Sequence, residues 1–403
     1  MRNPAALWRQ TACGRLLVES VKPLFTVSLC SNRQLWRRNE FTSKRSYTMD
    51  SSGSDMPPLF GNKEVSRAFM SVFPDVVREV SAERKGTLPE VEKWLTKIMQ
   101  YNVPTGKKYR GLSVVHTYLS LTQDAVTEDA LQKAYYLGWM VEMLHAFFLI
   151  QDDIMDGSYT RRGKAAWYRV EGVGMGAVND AVLLEKSIYF LLKKKYSKEP
   201  WYMESVDLFN MVTLKTAIGQ CLDVHSKKAD GSIDVPKFTV DRHEGIAKFK
   251  TAFYSLYLPV SLGMHLAGRT NPELHRQAKV ILLEIGEFLQ MQDDYLDCYG
   301  RPEVTGKTGT DIVEGKVTWV SVMALQRANA KQKEMFREHY GQSDPASVQK
   351  IREFYDQIDI PHIYRIVEKE SYERITRTIQ QASHGIPKSF LLKLMDALYK
   401  RDQ

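Results

Sequence analysis

Two short segments of this chain carry aspartates in the same arrangement: Phe147 to Asp156 reads FFLIQDDIMD, and Phe288 to Asp297 reads FLQMQDDYLD. Each places carboxylates at i, i+1 and i+4 (Asp152, Asp153 and Asp156, then Asp293, Asp294 and Asp297), so the first and last share one helix face. Two carboxylates roughly 6 Å apart repel by about 3 kcal/mol at an effective dielectric of 20. The C-terminal end of a helix, where both segments fall, is also its negative end. Hard divalent cations relieve both problems, and Mg²⁺ characteristically shares one or two carboxylates with substrate phosphates. A single D-D-x-x-D is most often a solvated acidic helix end; two copies, each closing an apolar helix, point to metal. Six aspartates facing one cavity would assemble a Mg²⁺ cluster around a diphosphate. By the same reasoning, neutralising one of them leaves stability without metal unchanged or higher.

The elements that must hold these residues are helical. Leu137, Met140, Val141, Leu144 and Phe148 recur at spacings of three and four, and Ile281, Ile285, Phe288 and Leu289 repeat the pattern. No convincing Val/Ile/Thr-rich alternation and no Asn-Gly hairpin signal appears. Breaks fall at Pro104 to Gly106, Gly157-Ser158, Gly172 to Gly176, Ala229 to Gly231, Asn271-Pro272, Gly300 to Pro302 and Ser343 to Pro345. Pro259 predicts a kink in the helix from Thr251 to Leu266. The expectation from about Phe60 onward is an all-α, single-domain bundle of ten or more helices.

Composition removes other classes. The longest apolar run is five residues, Ala146 to Ile150, which excludes a membrane-spanning helix. Four cysteines without a C-x-x-C pair exclude a disulfide scaffold and a zinc ribbon. The net charge of +8 suggests nucleic acid until it is located. Residues 1–49 hold nine of the 56 basic groups and two of the 48 acidic ones, a balance of +7, which leaves +1 for the rest. A near-neutral body has no electrostatic reason to bind DNA or RNA. The leader is rich in Arg, Ser and Thr and poor in acids, the composition of a mitochondrial transit peptide. The expected organisation is a transit peptide over 1–48, a flexible linker over 49–59 and a catalytic domain over 60–403. A start at Met49 would give a shorter cytosolic form.

Together with Gly106-Lys107-Lys108-Tyr109-Arg110-Gly111, Thr160-Arg161-Arg162-Gly163, Lys250 to Tyr254, Gln290, Val304 to Lys307 and Gly309 to Ile312, the aspartate motifs resemble the eukaryotic farnesyl diphosphate synthases, among the trans-prenyl diphosphate synthases. The resemblance runs from about Phe60 to Arg401. It implies a large homodimeric bundle around a deep apolar cavity, joining an allylic diphosphate to isopentenyl diphosphate head to tail. It further implies that the six aspartates hold about three Mg²⁺ ions on the allylic diphosphate, with Mn²⁺ or Co²⁺ as alternatives. Arg161, Lys250, Lys307 and Lys316 would add positive charge there. Gly106, Lys107, Arg110, His145 and Arg162 would take isopentenyl diphosphate, since guanidinium forks recognise phosphate bidentately. The Thr251 hydroxyl, the Gln290 amide and nearby backbone carbonyls would face the carbocation, which needs dipoles rather than a nucleophile, and Lys250 and Tyr254 are counted with them as catalytic residues. Phe147 and Phe148 would floor the cavity at farnesyl length, and Gln151, nearer the mouth, would favour some geranyl diphosphate.

His145 stands where the family usually has Gln, Gln151 replaces a small or apolar residue, and the basic C-terminus is altered to Tyr399-Lys400-Arg401-Asp402-Gln403. Taken alone, Lys107-Lys108 and Arg161-Arg162 read as solvated surface, and Gly172 to Gly176 as a structural loop with no strand before it. Two rivals remain: a class I terpene cyclase, which has no use for a metal-free diphosphate site, and a silent partner subunit, which would have lost aspartates.

Overall fold

The apolar periodicities become helices in the computed structural model, which describes residues 63–82, 88–122, 126–228, 230–300 and 309–399. In order these are α1 (Lys63–Ala82), α2 (Pro89–Asn102), α3 (Tyr109–Thr122), α4 (Glu128–Met155), α5 (Ala177–Tyr196), α6 (Tyr202–Val224), α7 (Val240–Ile246), α8 (Leu258–Leu266) and α9 (Pro272–Tyr299). There follow α10 (Asp311–Glu314), α11 (Trp319–Arg327), α12 (Ala330–His339), α13 (Pro345–Gln357), α14 (Ile360–Gln381) and α15 (Lys388–Tyr399). The fold is all-α, as the periodicity predicts. These residues lie in one contact unit, Asp55–Gln403. The expected transit peptide and linker, and the Val304 to Lys307 segment with its candidate Lys307, lie outside the described residues. Among the described residues no helix is long and apolar enough to cross a membrane.

The bundle is organised around α4. Thr127 caps its start by accepting the Ala130 amide at 3.2 Å, and every residue from Ala134 to Phe147 is buried. A helix buried on all sides belongs at the centre of a core, and α1, α3, α5 and α8 pack around this one. Leu137, Met140, Val141 and Leu144 are fully buried, each stabilising the fold by about 1.5–3 kcal/mol. The other motif helix, α9, is opened by Asn271 and Pro272 and packs against α11 and α14. Gly157 follows α4 in the left-handed region (φ +66°), whereas Gly300 after α9 is extended (φ −70°, ψ 142°). Only the first helix therefore ends in the glycine geometry usual for such caps.

Between the two motif helices stands a segment that the sequence described incompletely. Instead of an α-helix kinked at Pro259, residues Ala247–Tyr257 form a π-helix that passes into α8 at Leu258, with Pro259 in the first turn of the latter. A proline there has no N–H to donate back, so the change of helix type absorbs the missing bond. Two glycines let neighbours approach closely. A Cβ on Gly219 of α6 would overlap the Lys250 backbone, and one on Gly286 of α9 would overlap Ala252. α6 and α9 thereby clamp Lys250 and Thr251 from two sides.

One hairpin interrupts the helices. Thr160–Arg161 pairs antiparallel with Lys164–Ala165, and the two turn residues, Arg162 (φ 54°) and Gly163 (φ 74°), are both left-handed. This is the two-residue turn usually filled by Asn-Gly, which explains why the sequence carried no signal for it.

Candidate active site

Each aspartate of the first motif ends the last turn of α4 beside a cation from another element. Asp152 accepts hydrogen bonds from Lys250 Nζ (3.0 Å), Gln220 Nε2 (3.1 Å) and Arg161 Nη2 (3.1 Å). Asp153 is buried and takes Arg161 Nε at 2.9 Å. Asp156 takes Lys316 Nζ at 2.6 Å. Burial favours the neutral form of Asp152, yet Lys250, Lys316 and Arg161 hold its carboxyl down to about 2. At Asp152 the neighbouring ammonium and guanidinium groups thus outweigh burial and the adjacent carboxylates, whereas Asp153 and Asp156 are raised by burial, with the neighbouring aspartates adding to it. The expectation that Asp152→Asn leaves the metal-free chain as stable or more so is corrected accordingly.

A seventh carboxylate joins them from α6. Asp223, 8% exposed at its side chain, accepts from Lys250 Nζ at 2.5 Å and lies 3.5 Å from Lys316 Nζ. Burial raises its pKa, but the two lysines outweigh that and bring it below the ordinary value. Both lysines are correspondingly raised. Sequence reasoning passed over Asp223 because it stands alone. The signal was nevertheless there: an acid in the last turn of a helix, against the dipole.

The second motif is arranged differently. Asp293 is half-buried. Asp294 is buried and spends both oxygens on protein donors: Oδ1 on Gln290 Nε2, Oδ2 on His243 Nε2 and the Trp319 amide, each at 2.8 Å. Asp297 is buried too, and its Oδ2 accepts the Asp311 amide at 2.9 Å. Among the described residues no three His, Cys, Asp or Glu side chains converge tightly on one point. The six aspartates of the two motifs thus sit in different hydrogen-bonding surroundings. Asp294 has both oxygens on neutral or backbone donors, whereas Asp152 and Asp156 face the ammonium groups of Lys250 and Lys316, places that a hard cation can take over. Two ammonium groups lodged among Asp152, Asp156 and Asp223 show that this pocket is built to hold positive charge.

A separate basic group forms around His145. Arg110, buried, donates Nε to Ser255 Oγ and Nη2 to Tyr254 Oη, both at 2.9 Å. Arg162 donates to the carbonyl and hydroxyl of Thr105 and reaches His145 Nε2 at 3.0 Å, neutral acceptors all. Burial, then Arg110 and Arg162, push the His145 pKa well below 6.5, so the ring is neutral. With Nε2 accepting, the remaining proton sits on Nδ1, and Nδ1–H donates to Tyr254 Oη at 3.2 Å. Tyr254 Oη then accepts twice, from Arg110 and from His145. Gly106 (φ +83°) presses against the Arg162 guanidinium, and Lys107 is exposed. Glu142, buried, accepts the Gly111 amide at 2.8 Å in the first turn of α3 and so anchors the helix that carries Arg110.

Some of these residues line two cavities beside α4. One, of about 390 Å³, is bounded by Phe148, Gln151, Asp152, Lys250, Thr251 and Tyr254. The other, of about 280 Å³, is bounded by Thr105, Gly106, Asp153, Arg161, Arg162 and Trp167. Thr251 donates to Gln290 Oε1 at 2.7 Å. Phe148 lines the larger cavity, while Phe147 is buried behind it with ring centroids 4.8 Å apart.

Comparison with known proteins agrees with this arrangement. A family model described as polyprenyl synthetase matches residues 92–358. The farnesyl pyrophosphate synthase of Murgantia histrionica is 42% identical over 353 residues, 87% of this chain and 86% of its own length. That of Rattus norvegicus is 42% identical over 337 residues, 83% and 95% of the two chains. A solved T. brucei farnesyl diphosphate synthase, complexed with risedronate, superposes with a TM-score of 0.77 at 31% identity, over 84% of this chain and 100% of that one.

Proposed function

This chain belongs to the polyprenyl synthetase family, and from that premise we propose that it condenses dimethylallyl or geranyl diphosphate with isopentenyl diphosphate, releasing farnesyl diphosphate as main product. One observation carries the reading: two regions suited to diphosphates flank α4, one that sets lysines among carboxylates and one that sets two arginines around a neutral histidine. The first joins Asp152 and Asp156 to Lys250 and Lys316. The second sets Arg110 and Arg162 around a neutral histidine. A terpene cyclase needs the first alone, and the relatives named above are synthases rather than cyclases.

Asp152, Asp156 and Asp293 would hold Mg²⁺. When bound, such ions supply Lewis-acid neutralisation of the departing diphosphate. The chain's own groups do the rest. Lys250, Lys316 and Arg161 place positive charge beside the leaving oxygens, while Arg110 and Arg162 hold the second diphosphate as a fork. Because Thr251 gives its proton to Gln290, its oxygen lone pairs are free to face a developing carbocation. As the allylic carbon–oxygen bond breaks and the new carbon–carbon bond forms, the surplus proton leaves to the released diphosphate.

Two features support a homodimer. Val178 and Val182 on α5, and Leu214 and Ile218 on α6, are exposed apolar pairs at helical spacing, the kind of patch that a second copy covers. The leader's charge balance of +7 supports import into mitochondria, with Met49 as a start for a cytosolic form. The test is product analysis with dimethylallyl and isopentenyl diphosphates, with and without Mg²⁺. Metal-dependent fifteen-carbon diphosphate is expected; cyclised hydrocarbons or no turnover would overturn the reading.

A further inference from the structure

Asp223 belongs to neither aspartate motif, yet among the described residues it is the one carboxylate within 4 Å of both lysines of the site. Lys250 lies between Asp152 (3.0 Å) and Asp223 (2.5 Å). Lys316 lies between Asp156 (2.6 Å), Asp223 (3.5 Å) and Glu314 (3.4 Å). Each lysine is therefore a bridge with one end on a metal-binding aspartate and the other on α6. Gly219, one turn earlier on α6, permits the contact that brings the Lys250 backbone there.

We propose that Asp223 is a positioning residue: it retains Lys250 and Lys316 when divalent cations take over Asp152 and Asp156, and keeps both ammonium groups aimed at the allylic diphosphate. The inference rests on the metal reading above. In the metal-free chain the lysines compete with the cation for the same oxygens. Without Asp223, metal on Asp152 would take the one other carboxylate bridged to Lys250 among the described residues, and metal on Asp156 would leave Lys316 with Glu314 alone. With Asp223 each gives up only half of a shared pair. The carboxylate thus lowers the barrier to exchanging ammonium for metal without itself being required as a ligand.

The experiment is a double-mutant cycle read by direct Mn²⁺ binding to the full chain, with no diphosphate present, each variant first checked for folding by circular dichroism. Asp223→Asn should weaken Mn²⁺ binding by about tenfold, and Asp223→Glu should restore most of it. Lys250→Met with Lys316→Met should tighten binding, because the competitor is gone. In that lysine-free background Asp223→Asn should change affinity by less than about threefold. Equal weakening in both backgrounds would mean that Asp223 acts by its charge alone, and would overturn the proposal while leaving the metal reading intact. Failure of lysine removal to tighten binding would do the same. If neither the wild type nor the lysine-free variant binds Mn²⁺, the metal reading fails and this proposal falls with it.

Discussion

Replacing Phe148 by Ala should lengthen the product by about one five-carbon unit at modest cost to the fold. Phe148 precedes Asp152 by four residues, so its ring lies about 6 Å deeper along the same face of α4, comparable to one isoprene unit. It is half-buried against Tyr254 (ring centroids 5.5 Å) and already borders the 390 Å³ cavity. Truncation therefore extends existing space rather than opening a new void. A fully buried Phe→Ala change costs about 3–5 kcal/mol, and a half-buried ring beside a cavity should cost about 2 kcal/mol, or about 4 °C in melting temperature. Phe147 should behave in the opposite way. It is 8% exposed and lines neither cavity, so Phe147→Ala should cost the full amount while moving the product less. The assay is chromatography of the dephosphorylated products beside thermal melts of both variants. A folded, active Phe148→Ala enzyme with an unchanged product pattern would refute the reasoning, as would Phe147→Ala shifting the product as far as Phe148→Ala does.

Asp152→Asn should abolish turnover and also destabilise the metal-free chain by roughly 2 kcal/mol at pH 7, because its carboxyl is held down to about 2 from 3.8. A depressed carboxyl contributes its stability above the unfolded value, so the difference in melting should narrow as pH falls from 4 toward 2; equal melting at pH 7 would count against it. Arg162→Lys should raise KM for isopentenyl diphosphate by about 10- to 100-fold, since an ammonium cannot reproduce the planar guanidinium fork. Little change in that KM would remove Arg162 from the site. Burial drives His145 well below 6.5 and His116 and His265 to about 4, so each imidazole resists protonation in the fold and stability should decline as pH drops from 6.5. His145→Gln should flatten that decline by at most about 1.4 kcal/mol per pH unit; an unaltered slope in melting against pH would show that the ring is not neutral. Residues 1–50 fused to a fluorescent reporter should reach mitochondria, and a uniformly cytosolic signal would dismiss the transit peptide.

The sequence made the long helices legible because α4 and α9 bury continuous apolar faces, and periodicity reports burial directly. It also exposed the paired aspartates, since six like charges at helix ends have no structural justification on their own. What it hid was pairing across elements. Nothing local says that Lys316 meets Asp156, 160 residues earlier, or that Asp294 faces His243 rather than solvent. Spacing did contain part of the second answer, because residues i and i+1 point about 100° apart around a helix, so Asp293 and Asp294 were never bound to share a direction. The Arg-Gly hairpin escaped because its left-handed turn carries an arginine where Asn is usual.

The π-helix between α7 and α8 has a bearing on residue counting. Such a helix holds more residues in a turn than an α-helix does, so along the chain it amounts to an insertion absorbed without a loop. Deleting one residue from Ala247–Tyr257 would let ordinary i to i+4 bonding run through toward α8, which the backbone tolerates easily. The same deletion, placed between Lys250 and Tyr254, would rotate one against the other by about 100°. Lys250 would then no longer stand over Asp223 while Tyr254 stands under Arg110. In this chain such a deletion should keep the architecture and lose the alignment of Lys250 with Tyr254, a cost to function that no single side-chain replacement in the segment would carry.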